Sequence, residues 1–223
     1  MTSHQVLLFD LDGTLTDPKP GITKSIQYAL AQFGIQEPDL DTLIPFIGPP
    51  LTESFQLHYD FDAAQAQQAL VFYREYFTAR GMYDNAVYPG IEDLLTALTT
   101  QGKRLIVATS KPTLFAEQIL AHFHLDHYFE RIIGSNLDGT RSEKTEVIAH
   151  VFAKIPAIAR NTAVMVGDRK HDIIGAHTNG IHSIAVGYGY GTWDELEAAS
   201  PTHLVLSVEE LSRLLQTAEI GAK

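Results

Sequence analysis

The chain has 223 residues, of which 45% are hydrophobic and 19% charged, a balance typical of a soluble globular protein. Acidic residues outnumber basic ones by 27 to 16, and the net charge of -11 argues against nucleic acid or an anionic membrane surface as the main partner. The absence of cysteine excludes disulfides, thiolate chemistry and cysteine-ligated zinc. No apolar stretch approaches the roughly 20 residues of a membrane helix, and no signal peptide is recognisable, so we expect a cytoplasmic location.

Short apolar runs alternate with helical patterns along most of the chain. The runs that predict strands lie at 6–9, 104–109, 131–134, 163–167, 183–186 and, at the sheet edge, 203–206. Apolar residues at helical spacing predict helices at 90–99, 114–123 and 144–152. This alternation indicates an α/β fold, a Rossmann-like parallel sheet with helices on both faces. Such sheets place their sites at the carboxyl ends of the strands.

One long region interrupts the alternation. Between residues 18 and 81 the sequence has helical periodicity and no convincing strand, with helices predicted at 20–33, 50–58 and 63–80. We therefore expect a core domain formed by residues 1–17 and 82–223, with an inserted all-helical cap domain at 18–81. A long helical crossover packed on the sheet is the alternative.

The strongest chemical signal is the run DLDGTLTD at 10–17, directly after the first predicted strand. Carboxylates two residues apart on an extended backbone point the same way, so Asp10 and Asp12 are expected to face one crevice. Gly13 permits a sharp turn that lets backbone N–H groups face a phosphate. Taken alone, the run could also be an acidic turn after a strand.

A second acidic run, GDRKHD at 167–172, follows another predicted strand. Asp10, Asp12 and Asp168 would meet from two strand ends and would repel one another unless a cation lay between them. Oxygen ligands of this kind suit Mg²⁺, whose bound waters Asp172 could hold. Taken alone, the run could also be a helix N-terminus with favourable charge.

Two further runs supply candidate phosphate ligands. Thr109 and Ser110 follow a predicted strand, and hydroxyls with N–H groups at a helix start form an anion site, although a plain N-cap is the alternative. Lys144 begins a predicted helix, where a cation opposes the helix dipole; a bound phosphate would explain it, and a solvated surface lysine is the alternative. The loop GYGYGT at 187–192 lacks the glycine spacing of a dinucleotide site and is predicted to be a flexible loop at the site edge.

These four polar runs follow four different strands, at the same end of the predicted sheet. Over almost the whole chain, and in the same order, they resemble the motifs of the haloacid dehalogenase-like (HAD) hydrolase superfamily. The resemblance implies that Asp10 is the nucleophile that forms an aspartyl phosphate and that Asp12 is the general acid and base. It also implies that Thr109 and Lys144 bind the phosphoryl oxygens, with Ser110 as a further candidate.

The resemblance implies Mg²⁺ as the cofactor, bound by Asp10, the backbone carbonyl of Asp12 and Asp168, with Asp172 in support. The chain departs from the common family pattern at three positions where relatives often have Asn, Pro and Ser, namely Ser110, Thr145 and Arg169. None of these departures removes a proposed catalytic group.

The intact pair of Asp10 and Asp12 favours phosphoryl transfer over dehalogenation. The helical insertion resembles the cap of the phosphoglycolate phosphatase-like branch, so phosphoglycolate is the first expected substrate. The runs GPPL, YRE and ATSKP also resemble bacterial 5′-nucleotidases, so nucleoside monophosphates are the alternative. A sugar-phosphate mutase and a non-catalytic phosphate-binding module are further alternatives, and the motifs favour both of them less than the two phosphatases. We expect a small phosphorylated metabolite as the partner, neither nucleic acid nor membrane, and a monomer or homodimer.

Overall fold

The computed structural model describes residues 5–156 and 158–217. In chain order its strands and α-helices are β1 (Val6–Phe9), β2 (Thr16–Asp17), α1 (Lys19–Gln32), α2 (Leu51–Tyr59), α3 (Ala63–Ala79), β3 (Ala86–Val87), α4 (Ile91–Thr100), β4 (Arg104–Pro112), α5 (Thr113–His122), β5 (Arg131–Ser135), α6 (Lys144–Lys154), β6 (Ala163–Gly167), α7 (Lys170–Thr178), β7 (His182–Val186), α8 (Trp193–Ala198), β8 (His203–Val205) and α9 (Val208–Thr217). Short 3₁₀ helices lie at Leu40–Phe46, Gly81–Tyr83, Asp126–Tyr128 and Arg160–Thr162. Within the described residues, no helix combines the length and apolarity that a membrane span requires.

The chain forms two compact units: residues 17–86 make one, and the segments before and after them make the other. The helical unit therefore extends a few residues beyond the predicted insertion at 18–81. Its last residues are tied to α1, since the Gly21 N–H donates to the Asp84 carbonyl at 2.9 Å. Lys24 Nζ also pairs with Asp84 Oδ2 at 2.6 Å.

The first unit is built on a six-stranded sheet in the order β5-β4-β1-β6-β7-β8. Every pairing in it is parallel, as the predicted fold class requires. β1 is central, with Phe9 in register with Val107 of β4 and with Val166 of β6. The strand order reverses beside β1, which is where parallel sheets form their sites. The residue that follows β1 therefore lies at the centre of the candidate site.

Both faces of this sheet are covered. Val6 and Leu8 of β1 belong to a buried cluster that includes apolar residues of α6 and α7. Leu7 and Phe9 point to the opposite face, because side chains alternate along a strand, and they are buried as well. Burial on both faces explains why these strands are unbroken apolar runs in the sequence.

All six predicted strands of the sheet are present, and the largest difference concerns β4. It continues to Pro112 instead of ending at Thr109, and its pairing with β5 shifts register between Ala108 and Pro112. Helix α5 begins only at Thr113. Thr109 and Ser110 therefore lie within a strand, and the prediction that they sit at a helix start is wrong, because the irregular pairing lets the strand run on.

The helical unit has its own apolar centre, in which α1 and α2 both pack against α3. Aromatic rings contribute much of it: the ring of Phe61 lies 4.7 Å from that of Phe33 and 5.8 Å from that of Phe55. The start of α3 carries a reciprocal cap, since Asp62 Oδ1 accepts from Gln65 N at 2.8 Å and Gln65 Oε1 accepts from Asp62 N at 2.9 Å.

Candidate active site

Asp10 follows β1 directly and is held by both its backbone and its side chain. Its N–H donates to the Val166 carbonyl at 2.9 Å, which continues the ladder with β6. Its Oδ1 accepts from the Leu11 N–H at 2.8 Å and lies 2.8 Å from Lys144 Nζ. The residue is only 5% exposed. The central strand thus presents a buried, fixed carboxylate at the carboxyl edge of the sheet.

Asp10, Asp168 and Asp172 form a carboxylate cluster, in which each offers an oxygen within 4.8 Å of the others. Asp168 follows β6, and Asp172 lies in the first turn of α7. Burial raises the pKa of Asp168 well above its usual range, and the carboxylates of Asp10 and Asp172 raise it further. Three carboxylates this close ionise together only when cations neutralise them.

This donor set fits Mg²⁺, which prefers carboxylate oxygens and water. Burial raises the pKa of Asp172 to about 6, Lys144 opposes that shift, and the neighbouring Asp10 carboxylate adds to it. The carboxylate of Asp12 lies outside the cluster, and its predicted metal contact, through the backbone carbonyl, stays a prediction. Asp10 and Asp168, both predicted metal ligands, lie together, and Asp172, predicted only to support the metal, stands beside them.

Lys144 begins α6 and is buried rather than solvated, with a side chain 3% exposed. Its Nζ lies 2.8 Å from Oδ1 of Asp10 and 2.8 Å from Oδ1 of Asp172, and it donates to the Ala108 carbonyl at 3.0 Å. Burial lowers the pKa of Lys144, but the two carboxylates outweigh that effect and raise it. The ammonium group therefore stays charged next to Asp10, and its burial excludes the surface-lysine alternative.

Sequence reasoning missed Lys111, whose Nζ lies 2.7 Å from Asp12 Oδ2. The other oxygen, Asp12 Oδ1, is buried and accepts no hydrogen bond from the described residues. Burial raises the pKa of Asp12, and Lys111 opposes that shift. The carboxyl group is thus anchored through one oxygen and leaves the other for a ligand. The sequence signal that could have found Lys111 is its spacing from Thr109. Side chains two residues apart on one strand point to the same face, so Lys111 faces the same side as Thr109.

Of the predicted phosphate ligands on β4, Thr109 is buried and Ser110 is only partly buried. Thr109 Oγ1 accepts from the Lys111 N–H at 3.2 Å, which ties the threonine to the residue that holds Asp12. The side chain of Ser110 makes no hydrogen bond within the part of the chain that the structure describes. The geometry therefore brings Thr109, but not Ser110, into the network around the aspartates.

The loop at 187–192 lies against Asp168. The Tyr190 N–H donates to Asp168 Oδ2 at 2.8 Å, and the Tyr188 hydroxyl donates to the Thr14 carbonyl at 3.0 Å. A Cβ atom on Gly189 would overlap the Asp168 side chain, so only glycine permits this close approach. The loop was predicted as a flexible site edge; its backbone orients a proposed metal ligand.

Arg169 occupies the position where relatives often have Ser, and its guanidinium group faces Glu195 on α8. Arg169 Nε lies 3.0 Å from Glu195 Oε1, and Nη2 lies 3.3 Å from Oε2. The Lys170 N–H also donates to Glu195 Oε1 at 2.9 Å. This substitution thus ties α8 to the segment after Asp168.

The parallel sheet thus carries a buried aspartate after its central strand, beside a carboxylate cluster and a buried lysine. Residues 7–186 match the family model described as haloacid dehalogenase-like hydrolase. The chain belongs to this family, and the resemblance inferred from its motifs is confirmed.

Similar proteins narrow the class further. A Pseudomonas aeruginosa protein named 5′-nucleotidase is 50% identical over 211 residues, which cover 95% of each chain. A Mycobacterium tuberculosis protein named tyrosine-protein kinase PtkA is 40% identical, and the match covers 96% of this chain and 73% of that one. A phosphoglycolate phosphatase of Colwellia psychrerythraea is 26% identical, with coverage of 90% and 92%.

Solved structures agree with these relatives. The crystal structure of a predicted phosphatase from Clostridium acetobutylicum superposes with a TM-score of 0.92 at 50% identity, covering 94% of this chain and 97% of that one. The fold and the phosphatase-named relatives together make this chain an enzyme of the phosphatase class.

Proposed function

We propose that the protein is a magnesium-dependent phosphomonoesterase that uses Asp10 as its nucleophile. The observation that supports this best is the contrast between two aspartates in neighbouring positions. Asp10 is paired with Lys144 and adjoins two further carboxylates. Asp12 is paired with Lys111, has a raised pKa and keeps one oxygen without a partner in the described residues. Different surroundings of this kind assign one carboxylate to attack and the other to proton transfer.

The residues that would hold Mg²⁺ are Asp10, Asp168 and the backbone carbonyl of Asp12, with Asp172 beside them. When bound, the ion would neutralise the carboxylates and the phosphate so that an anionic nucleophile can approach an anionic substrate.

In the first step, a carboxylate oxygen of Asp10 attacks the phosphorus atom and the bond from phosphorus to the leaving oxygen breaks. Because Lys144 and the Leu11 N–H both contact Oδ1, we assign the attack to Oδ2. Asp12, in its protonated form, gives its proton from Oδ1 to the leaving alcohol. Lys144, and the Thr109 hydroxyl, would stabilise the charge on the phosphoryl oxygens.

In the second step, ionised Asp12 accepts a proton from a water molecule, whose oxygen attacks the phosphorus of the aspartyl phosphate. The bond between phosphorus and Asp10 breaks, which releases phosphate and restores the Asp10 carboxylate. Asp12 is then protonated again, so the cycle balances. Lys111 serves this step by opposing the effect of burial on the pKa of Asp12.

As the substrate class we place nucleoside 5′-monophosphates first and phosphoglycolate second. The relative named 5′-nucleotidase is 50% identical along nearly the whole chain, whereas the phosphoglycolate phosphatase is 26% identical. This order reverses the expectation from the sequence. The kinase-named relative extends beyond the matched region, since the match covers 73% of it.

The test is phosphate release from nucleoside 5′-monophosphates, phosphoglycolate, sugar phosphates and pyrophosphate, with Mg²⁺ and with a chelator. We expect Mg²⁺-dependent release with a preference for the nucleotides. Phosphate release that continues in the chelator would overturn the metal requirement. A preference for phosphoglycolate would restore it as the first expected substrate, as the sequence predicts.

The nucleophile is tested by Asp10→Asn, with Asp93→Asn as a control at an exposed aspartate of α4. Turnover should fall by about 10⁴-fold or more in the first variant and stay unchanged in the second. Rapid quenching with radiolabelled substrate should trap a hydroxylamine-sensitive phosphoprotein in the wild type alone. Equal labelling of the Asp10→Asn protein would refute the assignment.

A further inference from the structure

A polar cleft whose lining excludes the proposed catalytic residues lies along the edge strand β5 and helix α6. It has a volume of about 360 Å³, which falls within the roughly 300–1,000 Å³ of small-molecule sites. Among the described residues its lining contains no carboxylate and includes four basic side chains, those of Arg131, Arg141, His150 and Lys154. None of the residues proposed for catalysis or metal binding lines it.

Arg141 is the fixed centre of this cleft. Its Nε donates to the Gly134 carbonyl at 3.0 Å, and its Nη2 donates to Asn136 Oδ1 at 2.9 Å. Its Nη1 lies 3.3 Å from His150 Nε2, which must accept because a guanidinium group can only donate. All three partners are uncharged acceptors, and the nearby carboxylate of Asp138, whose pKa the Arg141 charge helps to lower, offsets part of the guanidinium charge without contacting it.

The backbone of Arg141 is also unusual. Its φ of 55° is uncommon for a residue with a side chain, and such conformations persist where the surroundings impose them. The three hydrogen bonds of the side chain are the restraint that the described structure offers. The chain therefore holds Arg141 in one position at the cost of some local strain, as ligand clamps do.

The positive charges in the cleft are close enough to affect one another. Burial lowers the pKa of His150, and the charges of Arg141 and Lys154 lower it further. Repulsion among cations in a concave surface is relieved when an anion binds between them. Two acidic neighbours act on these cations from outside the cleft lining. Both oxygens of Glu130 accept from Arg104 at 2.7 and 2.8 Å, and Asp138 Oδ1 accepts from the N–H and the hydroxyl of Thr140 at 2.9 and 2.6 Å.

We propose that this cleft binds a small phosphorylated metabolite, with its phosphate against Arg141 and Lys154 and its uncharged part against Ile132. Thr113 also lines the cleft, and its hydroxyl is held by β5, since it accepts from the Gly134 N–H at 2.9 Å and donates to the Ser135 carbonyl at 3.4 Å. Charge-assisted contacts from a fixed guanidinium group and a mobile ammonium group are the usual means of holding phosphate. The site is additional to the catalytic one and does not depend on the proposed reaction.

A competing explanation is that the cations protect the exposed edge of β5 from pairing with another chain, as charged residues do on edge strands. The two explanations differ in one respect. Edge protection needs charge anywhere along the strand, whereas a binding site needs saturable binding that depends on particular side chains.

The experiment is an NMR titration of the full chain with inorganic phosphate, which follows the amides of residues 131–141 and 150–154 and the side chain of Arg141. Sodium chloride at equal ionic strength is the reference titration. The variants are Lys154→Gln and Arg141→Gln, and the matched control is Arg213→Gln, an exposed arginine on α9 that does not line the cleft. Lys154 is exposed, so its replacement should leave the fold and the phosphatase activity unchanged.

We expect saturable phosphate-specific shifts in the cleft, with affinity roughly tenfold weaker in Lys154→Gln and unchanged in Arg213→Gln. The phosphate-induced shifts of resonances near Asp10 should be the same in Lys154→Gln and Arg213→Gln as in the wild type. This result would separate the cleft from the catalytic site. Cleft resonances that respond equally to chloride, or that keep their phosphate affinity in Lys154→Gln, would overturn the proposal and favour edge protection.

Discussion

Lys111 Nζ lies 2.7 Å from Asp12 Oδ2, and this ion pair separates the two oxygens of the proposed acid and base. One oxygen is anchored, while Oδ1 is buried and unpartnered within the described residues. A proton can therefore leave or reach the group through one defined atom. The pair also sets the balance between burial, which raises the pKa of Asp12, and the ammonium charge, which lowers it.

Replacement of Lys111 by Met should raise the pKa of Asp12 further and make the carboxyl group retain its proton. Water activation in the second step would then slow, so kcat at neutral pH should fall by about 10²-fold and the pH optimum should move upward. Lys111→Arg, which keeps the charge, should shift the optimum less. The pH profile of kcat measures both effects; a loss of kcat with an unshifted profile would reduce Lys111 to a packing role.

Gly189→Ala should weaken Mg²⁺ binding, because the new Cβ would displace the loop that orients Asp168. We expect an affinity loss of about 10–100-fold, the size associated with groups that orient metal ligands. Tyr190→Ala is the control, since it keeps the N–H that donates to Asp168 Oδ2. Calorimetric Mg²⁺ titration is the measurement, and equal affinities in the two variants would show that the loop does not position Asp168.

Without metal, the contribution of Asp172 and Asp168 to the stability of the protein should fall as the pH rises. The folded-state pKa of Asp172 is about 6, above the ordinary value of 3.8, so the folded chain binds more protons than the unfolded chain between these values. Stability from this group is therefore complete below about pH 4 and is lost as the pH passes through about 6. Asp168, whose pKa is also raised, extends the loss to higher pH.

The corresponding measurement is Tm against pH in a chelator and in Mg²⁺. Tm should drop by roughly 5 °C between pH 4 and pH 7 in the chelator, and Mg²⁺ should remove the drop. Asp172→Asn should flatten the chelator curve. Because the lowered pKa values of His150 and His171 act in the opposite direction, the decisive quantity is the difference between wild type and Asp172→Asn, and a difference that does not change with pH would contradict the raised pKa of Asp172.

Arg169→Ser restores the residue common in relatives but should destabilise this chain. It breaks a largely buried ion pair and leaves Glu195 without its guanidinium partner. We expect the free energy of unfolding to fall by about 1–3 kcal/mol. Arg213→Ser removes an exposed pair with Glu209 and should cost less than about 0.5 kcal/mol. Urea unfolding compares the two; equal losses would mean that burial adds nothing to the Arg169 pair.

The sequence by itself determined the sheet and the residues at the end of its central strand. Strands buried on both faces are continuous apolar runs in the sequence. An acidic run directly after such a strand, as at Asp10 and Asp12, can be recognised from neighbouring residues alone. The parallel arrangement then follows from the alternation of strands and helices, and it brings the ends of different strands together. For this reason the aspartates and Lys144 could be selected without coordinates.

The tertiary structure decided which of these groups touch. Lys144 meets Asp10 and Asp172, Lys111 meets Asp12, and the Tyr190 N–H meets Asp168. These contacts join segments far apart in the chain, and their geometry depends on strand register and on the length of β4. Register and burial are set by packing against other elements, which periodicity within one segment does not encode. The sequence thus determined the aspartates and Lys144 of the site, whereas only the folded chain added Lys111 and determined which oxygen each cation holds.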